Sequence, residues 1–448
     1  MASKNGGRGG HARIWYTVSH HLFISPGTGM PTETDVVIIG AGAAGLSAAK
    51  ELSMLNRSCV VVEASHRIGG RAYSEEITPG VWFDLGCAYL VSGPDVENHI
   101  DESNPFLDFA KNHQVVVERY SYGAQFIRNG RALDSDEMKA RADFYASCEE
   151  AIKLSVRRGE DCAISDLIDL DNPYATPYID MMAVTAPKDL DAASAADFFY
   201  GIEEAVDFNA LNGYGNLVAQ WGNDVAVSLN TKVESVDWSR DAVVVNTVKG
   251  ALKARCVIST VSTGVLAAQD IDFKPRLPDW KMEAVLGLPM GAENKIGVHF
   301  DKDVFGPDGG GYYQSWSDDA HGAYIDVNLM STNVVTVFIG GRFSIWMEKQ
   351  GPQAAHEFAV DHIANLFGNE IRQSVTRSIA SAWVTDPWVL GSYASALPGQ
   401  YHQREFLPLP IDNKLFFAGE ATARANGTCH GAYWSGVRVA REVAEALN

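Results

Sequence analysis

A strand, a glycine-rich turn, a helix and a second strand follow one another near the start of the chain, and this order constrains the fold more than any other feature. The run 36–39 contains only valine and isoleucine, which is typical of a strand buried in a parallel sheet. Gly40, Gly42 and Gly45 come directly after it, and a helical stretch then leads to a second apolar strand that ends at Glu63. The order predicts a βαβ unit, and therefore an α/β fold built on a Rossmann-like sheet.

The residue types in this unit suit a bound dinucleotide. The first glycine permits a tight turn, the second lets the backbone approach a pyrophosphate, and the third allows the helix to pack closely on the strand. The helix start offers free amides to an anion, and the acid can accept hydrogen bonds from ribose hydroxyls. That acid disfavours a 2′-phosphate, and with it NADP. The residues that this motif assigns to the cofactor are Gly40, Gly42, Ala43, Ala44, Gly45, Glu63 and Ala64.

A second glycine-rich segment, 68–71, follows the same strand. Its paired glycines let the backbone pass close to a bulky ligand, and the planar guanidinium of Arg71 can meet phosphate oxygens. The alternative is a surface turn with a solvated arginine. Because the segment starts five residues after Glu63, we assign Gly70 and Arg71 to the cofactor site.

The charge balance excludes some partners. The chain of 448 residues has 36 basic and 56 acidic residues, which gives a formal net charge of −20. A nucleic-acid-binding protein needs the opposite balance, because its affinity depends on neutralising phosphates. We therefore expect no nucleic-acid partner, whereas cationic small molecules are compatible with the charge.

Cysteine spacing and apolar runs indicate the compartment. The six cysteines lie far apart, without a CxxC pair or a metal-ligand spacing, so we expect free thiols, no metal and a cytoplasmic location.

No apolar run approaches the roughly 18–20 residues that span a bilayer, so no membrane anchor is expected. Residues 1–33 are expected to form a disordered extension, because they are basic and contain no acid up to residue 30. Whether residues 1–30 belong to the native protein stays open.

Apolar patterns predict the remaining elements. Residues 100–205 are expected to be mostly helical, with helices over 136–157 and 192–205, and 295–343 is expected to be rich in strands. Further strands are predicted over 225–229, 233–238, 243–248, 255–259, 334–339 and 414–418, and further helices over 352–367 and 429–447.

Several short blocks along the chain carry a family resemblance. The blocks are 35–71, 83–86 (Phe-Asp-Leu-Gly), 213–217 (Gly-Tyr-Gly-Asn-Leu), 295–296 (Lys-Ile), 383–393, 415–420 (Leu-Phe-Phe-Ala-Gly-Glu) and 427–432 (Gly-Thr-Cys-His-Gly-Ala). In this order they resemble the flavin-containing amine oxidases of the monoamine and polyamine oxidase type. The resemblance implies FAD rather than NAD. It also implies a glutathione-reductase-like FAD-binding domain from 34–98, 206–272 and 405–448, and a discontinuous α+β substrate-binding domain from 99–205 and 273–404.

The resemblance assigns roles to individual residues. Lys295 matches the lysine that holds a water at flavin N5, and Tyr393 matches one wall of an aromatic substrate cage. Without the resemblance they would be an exposed strand lysine and a packed tyrosine. Thr428 and Cys429 match the start of a helix whose amides face the N1–C2=O edge of the flavin. The other cofactor residues that it implies are Val233 at the adenine edge, Trp383, and Gly419 with Glu420 near the ribityl chain and pyrophosphate.

Four departures from the family pattern bear on the cofactor and the substrate. Thr428 stands where the monoamine type has a tyrosine, which favours the polyamine-oxidase and histone-demethylase subgroup. Ser392 stands where some members attach flavin through a cysteine, so the FAD is expected to be non-covalent. Val91 stands near the place where polyamine oxidases often carry an acid or a histidine, which argues against a polyamine. No carboxylate-binding arginine lies around 88–89, which disfavours amino acids. The expected substrate contacts are Tyr393, Thr428 and Tyr89.

These features together predict an FAD-dependent amine oxidase that acts on an aliphatic polyamine or monoamine. The α-carbon of the amine would give a hydride to flavin N5, the imine would hydrolyse to an aldehyde, and O2 would reoxidise the flavin and yield H2O2. The alternatives are an L-amino-acid oxidase, a desaturase or protoporphyrinogen-oxidase-like flavoenzyme, and a flavin-binding protein without turnover. A homodimer is an open option.

The purified protein should be yellow, and acid precipitation should release its FAD, because Ser392 offers no thiol at the position where some relatives attach flavin. Flavin absorbance in the supernatant and in the pellet after acid treatment measures this. Flavin that stays in the pellet would contradict the prediction.

Overall fold

The structure of the chain is a computed structural model that describes residues 32–92, 104–120, 123–201, 206–306, 309–317 and 320–448. The extension expected over 1–33 lies outside these residues except for its last two positions. Within the described part of the chain, no helix combines the length and the apolar character needed to cross a membrane.

The strands of the described residues are, in chain order, β1 (Glu33–Ile39), β2 (Cys59–Val62), β3 (Ser74–Thr78), β4 (Val81–Asp84), β5 (Leu90–Ser92), β6 (Val117–Arg119), β7 (Ala124–Arg128), β8 (Arg131–Ala132), β9 (Val206–Ala210), β10 (Val227–Ser228), β11 (Val233–Asp237), β12 (Val243–Thr247), β13 (Gly250–Ser259), β14 (Asp272–Lys274), β15 (Glu293–Phe300), β16 (Gly311–Ser317), β17 (Ala320–Val327), β18 (Val334–Gly340), β19 (Val375–Ala380) and β20 (Leu415–Phe417).

The α-helices are α1 (Ala43–Met54), α2 (Pro105–Asn112), α3 (Ser135–Arg157), α4 (Ala175–Thr185), α5 (Ala195–Phe199), α6 (Tyr214–Gly222), α7 (Thr263–Ala268), α8 (Asp279–Gly287), α9 (Gly341–Gln350), α10 (Pro352–Phe367), α11 (Gln403–Phe406) and α12 (Cys429–Ala446).

The predicted βαβ unit lies at the centre of the larger sheet. Strand β1 pairs in parallel with β2 on one side and with β13 on the other. The full order is β10-β2-β1-β13-β12-β11-β14, and β20 lies beside the C-terminal end of β13. The side chains of Val36, Val37 and Ile38 are 0% exposed, as expected for a strand covered on both faces.

Helices α1 and α12 pack against each other on one face of this sheet, although they come from opposite ends of the chain. A Cβ atom at Gly436 would lie 2.1 Å from the carbonyl oxygen of Ala44, so only glycine permits this approach. The contact brings the first residues of the two helices, Ala43 and Cys429, to the wall of one cavity.

A second sheet has the order β19-β15-β18-β17-β16-β7-β8. In β15, Ile296 and Val298 belong to a buried cluster with Ala359 and Ile363 of α10. Because side chains alternate between the faces of a strand, Lys295 points away from that cluster. The sheet therefore presents this lysine on the face opposite α10.

Most predicted elements are present, but the region 100–205 is less helical than expected. It contains strands β6, β7 and β8, and only 195–199 of the helix expected over 192–205 is helical, with 202–205 outside the described residues. The hydroxyl of Ser194 accepts a hydrogen bond from the amide of Asp197, which fixes where that helix begins. Strand β6 pairs with β9, which is distant in sequence, so no local pattern indicates β6. Strand β7 pairs with the distant β16 but also forms a hairpin with β8 across Asn129-Gly130, a local signal that was missed. The division into two domains stays a prediction.

A buried ion pair fixes the segment that carries Tyr393. Arg404 donates to Asp197 at 2.9 Å and to the carbonyl of Ala394 at 3.1 Å. The other side of the pair is held as well, because Asp197 also accepts from the amide of Ala396 at 2.7 Å. The side chains of Arg404 and Asp197 are only 9% and 6% exposed.

Asp197→Asn should lower the free energy of unfolding by roughly 3–5 kcal/mol, because it leaves the buried guanidinium of Arg404 without a counter-charge. Urea denaturation followed by fluorescence measures the change. Asp191→Asn is the matched control: Asp191 pairs with Arg342 at the surface and should change stability by about 1 kcal/mol or less. Equal effects of the two variants would contradict this account.

Candidate active site

The two large sheets meet at a cavity of about 850 Å³. The carboxyl ends of β1 and β2 supply Ile39 and Glu63 to its wall, and the second sheet supplies Lys295 and Phe338. Open α/β sheets bind ligands at the carboxyl ends of their strands, so the cavity lies where the fold favours a binding site.

The start of α1 forms a cradle for an anion at one end of the cavity. Gly42 is the N-cap of α1, no side chain caps the helix, and its first turn contains no acid. A Cβ at Gly45 would lie 2.0 Å from the carbonyl oxygen of Gly40, which explains the need for glycine there. Gly70 crosses close by, since a Cβ on it would lie 3.2 Å from the Cα of Gly42. Uncapped helix amides between two glycine-rich backbones fit a pyrophosphate.

Glu63 is held at the end of β2 by backbone amides. One carboxylate oxygen accepts from the amide of Ala41 at 2.7 Å, and the other accepts from the amide of Ser65 at 2.8 Å. Its carboxylate lines the cavity beside Ala64. Each oxygen can accept further hydrogen bonds, so the geometry suits a ribose, and that role stays a prediction.

Arg71 and Glu420 bind each other, whereas the sequence assigned each of them separately to the cofactor. One terminal nitrogen of Arg71 donates to Glu420 at 2.8 Å and to the carbonyl of Ser392 at 2.9 Å. Glu420, only 5% exposed, also accepts from the amides of Ala394 at 3.1 Å and Gly427 at 3.2 Å. The pair therefore ties together the cavity walls, since a buried carboxylate needs charged and hydrogen-bonding partners. Both residues line the cavity, and direct cofactor contacts stay predictions.

Lys295 is buried inside the cavity wall, so the alternative of an exposed strand lysine is wrong. Its side chain is 5% exposed, and its ammonium donates to the carbonyl oxygen of Gly86. The same nitrogen lies 5.6 Å from the centre of the Phe338 ring. Its backbone amide donates to Ser381 at 2.9 Å. A cationic group is thus fixed in a chamber that is largely apolar.

Three of the sequence blocks meet at Gly86 and position that carbonyl. Asp84 accepts from the amides of Tyr214 at 3.0 Å and Gly215 at 3.2 Å, and so caps α6. The indole nitrogen of Trp383 donates to the carbonyl of Leu85 at 2.9 Å. A Cβ at Gly86 would lie 1.7 Å from the carbonyl oxygen of Arg71, so this position requires glycine. The blocks are therefore linked in space as well as in sequence order.

Tyr393 and Thr428 lie together at the cavity wall, but their hydroxyls already have partners. Tyr393 donates to the carbonyl of Val184, and its ring packs beside Gly427, where a Cβ would be 3.2 Å away. Thr428 is the N-cap of α12, accepting from the amide of Gly431 at 3.0 Å and donating to a carbonyl at 2.8 Å. The ring of Tyr393 remains available as a cage wall, whereas the Thr428 hydroxyl serves the helix. Both substrate roles stay predictions.

Two further predicted cofactor residues also lie at the cavity. Val233 is the first residue of β11 and is 4% exposed. Gly419 follows β20 with φ of 130°, and its amide donates to Ser435 of α12 at 2.9 Å. The remaining cavity-lining candidate, Cys429, begins α12.

Tyr89 belongs to a cluster that the sequence did not indicate. Its hydroxyl and that of Tyr120 donate to Asp326, the second at 2.7 Å. The ring of Tyr89 stacks on Phe338 with centres 6.4 Å apart. Asp326 is 1% exposed, and burial raises its pKa to about 6. The sequence signal that could have indicated this cluster is Asp326 itself, an acid within the alternating apolar pattern of β17.

Asp207 was also missed, and it corrects the argument made from Val91. Strands β5 and β9 are antiparallel neighbours in which Val91 is directly opposite Asp207. Both residues line the cavity. The acid that was sought at Val91 is therefore present on the facing strand, 116 positions further along the chain. Burial raises the pKa of Asp207.

Comparison with known families identifies the chain. A family model described as flavin containing amine oxidoreductase matches residues 124–444, and one described as an NAD(P)-binding Rossmann-like domain matches residues 38–103. This chain belongs to the flavin-containing amine oxidoreductases. It is an FAD-dependent amine oxidase, as the sequence predicted. The anion cradle and Glu63 fit the pyrophosphate and ribose of FAD.

Similar proteins share most of the chain's length. Polyamine oxidase 4 from Oryza sativa subsp. japonica is 27% identical over 91% of this chain and 88% of its own, and polyamine oxidase 2 from Arabidopsis thaliana is 28% identical over 93% and 90%. Lysine-specific histone demethylase 2 from Homo sapiens is 25% identical over 91% of this chain but 53% of its own. A solved structure of putrescine oxidase bound to putrescine has a TM-score of 0.74 at 18% identity, covering 92% of this chain and 99% of that one. This likeness confirms the fold class.

Proposed function

We propose that this amine oxidase acts on an aliphatic diamine or polyamine and holds its FAD non-covalently. When bound, the flavin supplies a hydride acceptor for the amine α-carbon and passes the electrons to O2. The oxidised amine is an imine, which hydrolyses to an aldehyde, and the reduced O2 is H2O2. The substrate class is inferred from a set of carboxylates in and beside the cavity that form no ion pair among the described residues.

Three acids form this set: Asp207, Asp326 and Glu293. Asp207 and Glu293 line the cavity, and Asp326 reaches its edge through Tyr89. Within the described residues, none of them forms an ion pair with a lysine, arginine or histidine. Burial raises the pKa of each, and Lys295 offsets this rise in part at Glu293 and Asp326 but not at Asp207. A cation that enters from solution would therefore stabilise these carboxylates, Asp207 above all.

The spread of the acids matches a substrate with more than one nitrogen. Glu293 and Lys295 are two positions apart on β15 and share its cavity face, beside Tyr393. Asp207 and Asp326 lie instead with Tyr89 and Tyr120, in the part of the wall formed by β5, β9 and β17. An amine at the Lys295 side can react while a second ammonium binds at the tyrosine side.

The role of Lys295 is to place its ammonium, and a water bound to that ammonium, near the reacting centre. Its ammonium is fixed by the Gly86 carbonyl and has two further donor hydrogens, which can orient a water. A positioned donor of this type assists proton transfer during oxygen reduction or amine deprotonation. Tyr393 contributes its ring face, which guides the neutral amine.

Location in the cytoplasm and assembly as a homodimer remain predictions. An L-amino-acid substrate is disfavoured, because its carboxylate would meet three acidic side chains in and beside this cavity. The same argument favours a cationic substrate over a neutral one.

Lys295→Met should keep FAD bound and the fold intact, because the length and apolar volume of the side chain are roughly retained. We expect flavin reduction by amine, flavin reoxidation by O2, or both, to slow by about 10-fold or more, since positioned proton-transfer groups contribute roughly 10²–10⁴-fold. Stopped-flow absorbance measures both half-reactions. Lys302→Met, at an exposed position, is the control. Wild-type rates in both half-reactions would remove Lys295 from the mechanism.

Asp207→Asn should raise KM for putrescine and spermidine by about 10- to 100-fold, because a charge-assisted hydrogen bond contributes roughly 1.5–3 kcal/mol. KM for benzylamine, which has one nitrogen, should stay within about twofold. Peroxide release measures both, and Asp241→Asn at an exposed turn is the control. Equal losses for mono- and diamines, or benzylamine as the best wild-type substrate, would reject the polyamine proposal and leave the family assignment intact.

A further inference from the structure

Two cysteines that are 342 positions apart meet at the cavity wall. Cys87 follows Gly86, and Cys429 is the first residue of α12. Each thiol is the main influence on the pKa of the other, and Cys87 packs against the hydrophobic cluster that contains Cys429 and Tyr214. Both line the cavity, and neither is in a disulfide. Nothing in the proposed reaction uses them.

The surroundings distinguish the two thiols. A hydrogen bond from Cys429, with Lys295 and Arg71 nearby, lowers the pKa of Cys87. The same contact, together with burial, holds the pKa of Cys429 well above its usual range. The ammonium of Lys295 binds the carbonyl of Gly86, directly before Cys87, and a nearby cation favours the reactive thiolate form. We therefore assign Cys87 as the nucleophile of the pair and Cys429 as its partner.

We propose that Cys87 and Cys429 are a peroxide-sensitive pair, which hydrogen peroxide converts to a reversible disulfide. The Cys87 thiolate attacks one peroxide oxygen, the O–O bond breaks, and hydroxide leaves and takes up a proton, which gives a sulfenic acid. Cys429 then attacks that sulfur, the S–S bond forms, and the hydroxyl leaves as water with the Cys429 proton. In total two thiols lose two electrons, one peroxide gains them, and two waters form.

The position of the pair links this bond to the catalytic wall. Cys87 follows the residue whose carbonyl accepts from Lys295, and Cys429 begins the helix that Thr428 caps. A covalent bond between them fixes the Gly86 segment against the N-terminus of α12. We expect amine oxidation to fall at least threefold on disulfide formation and to recover on reduction. The expected loss of amine oxidation rests on the proposed function, whereas the formation of the disulfide does not.

The test treats the wild-type holoenzyme with one to ten equivalents of hydrogen peroxide and then blocks free thiols with an alkylating agent. Mass spectrometry of the unreduced digest should find the Cys87 and Cys429 peptides joined and lighter by two hydrogens, and dithiothreitol should separate them. Both cysteines alkylated in full, or Cys87 overoxidised without a link, would overturn the proposal.

Variants assign the roles without relying on activity. In Cys429→Ser the link should be absent, and a sulfenic-acid probe such as dimedone should label Cys87. Cys162→Ser, which changes a half-buried cysteine of another cluster, should keep the link. Circular dichroism and flavin content check that each variant folds. The wild-type digest decides the proposal even where a variant does not fold, and a linked peptide with unchanged turnover would overturn only the expected loss of amine oxidation.

Discussion

The ion pair between Arg71 and Glu420 is the interaction on which the cavity depends. It joins residues 349 positions apart, and through the hydrogen bonds of the same two side chains it also fixes the segment before Tyr393 and the turn before α12. Removing Arg71 would leave the Glu420 carboxylate buried without a counter-charge, which is among the more costly changes in a protein interior. The pair ties together segments of the cavity wall that are far apart in the sequence.

The second constraint is the alternation of β15. One face of this strand packs on α10, so the other face must carry whatever the cavity requires. Lys295 can be buried there only because the carbonyl of Gly86 faces it, and that carbonyl is placed by a glycine that cannot be replaced without a clash. The catalytic proposal for Lys295 thus depends on a contact made by the loop after β4.

Local sequence predicted those parts of the molecule that are determined locally. The structure agrees with the predicted GxGxxG turn and with the acid at the end of β2. It also agrees with helix α10, because proline at its start and glycine after its end mark the bounds Pro352 and Phe367. The partnership of Arg71 with Glu420 and the contact of Cys87 with Cys429 were not predictable, because distant segments create them. The small strand β6 was missed for the same reason, since its partner β9 is distant in sequence. The hairpin of β7 and β8 was missed although its Asn-Gly turn is a local signal.

The facing positions of Val91 and Asp207 have a consequence for how specificity evolves in such a cavity. Two residues opposite each other in an antiparallel ladder project from the same face of the sheet, within about 5 Å of each other. A carboxylate can therefore be moved from one strand to its neighbour while the charge in the cavity stays nearly in place. During evolution the acid can therefore move from one strand to the other. A sequence motif that covers only one of the two strands would then no longer match, although the cavity keeps its charge.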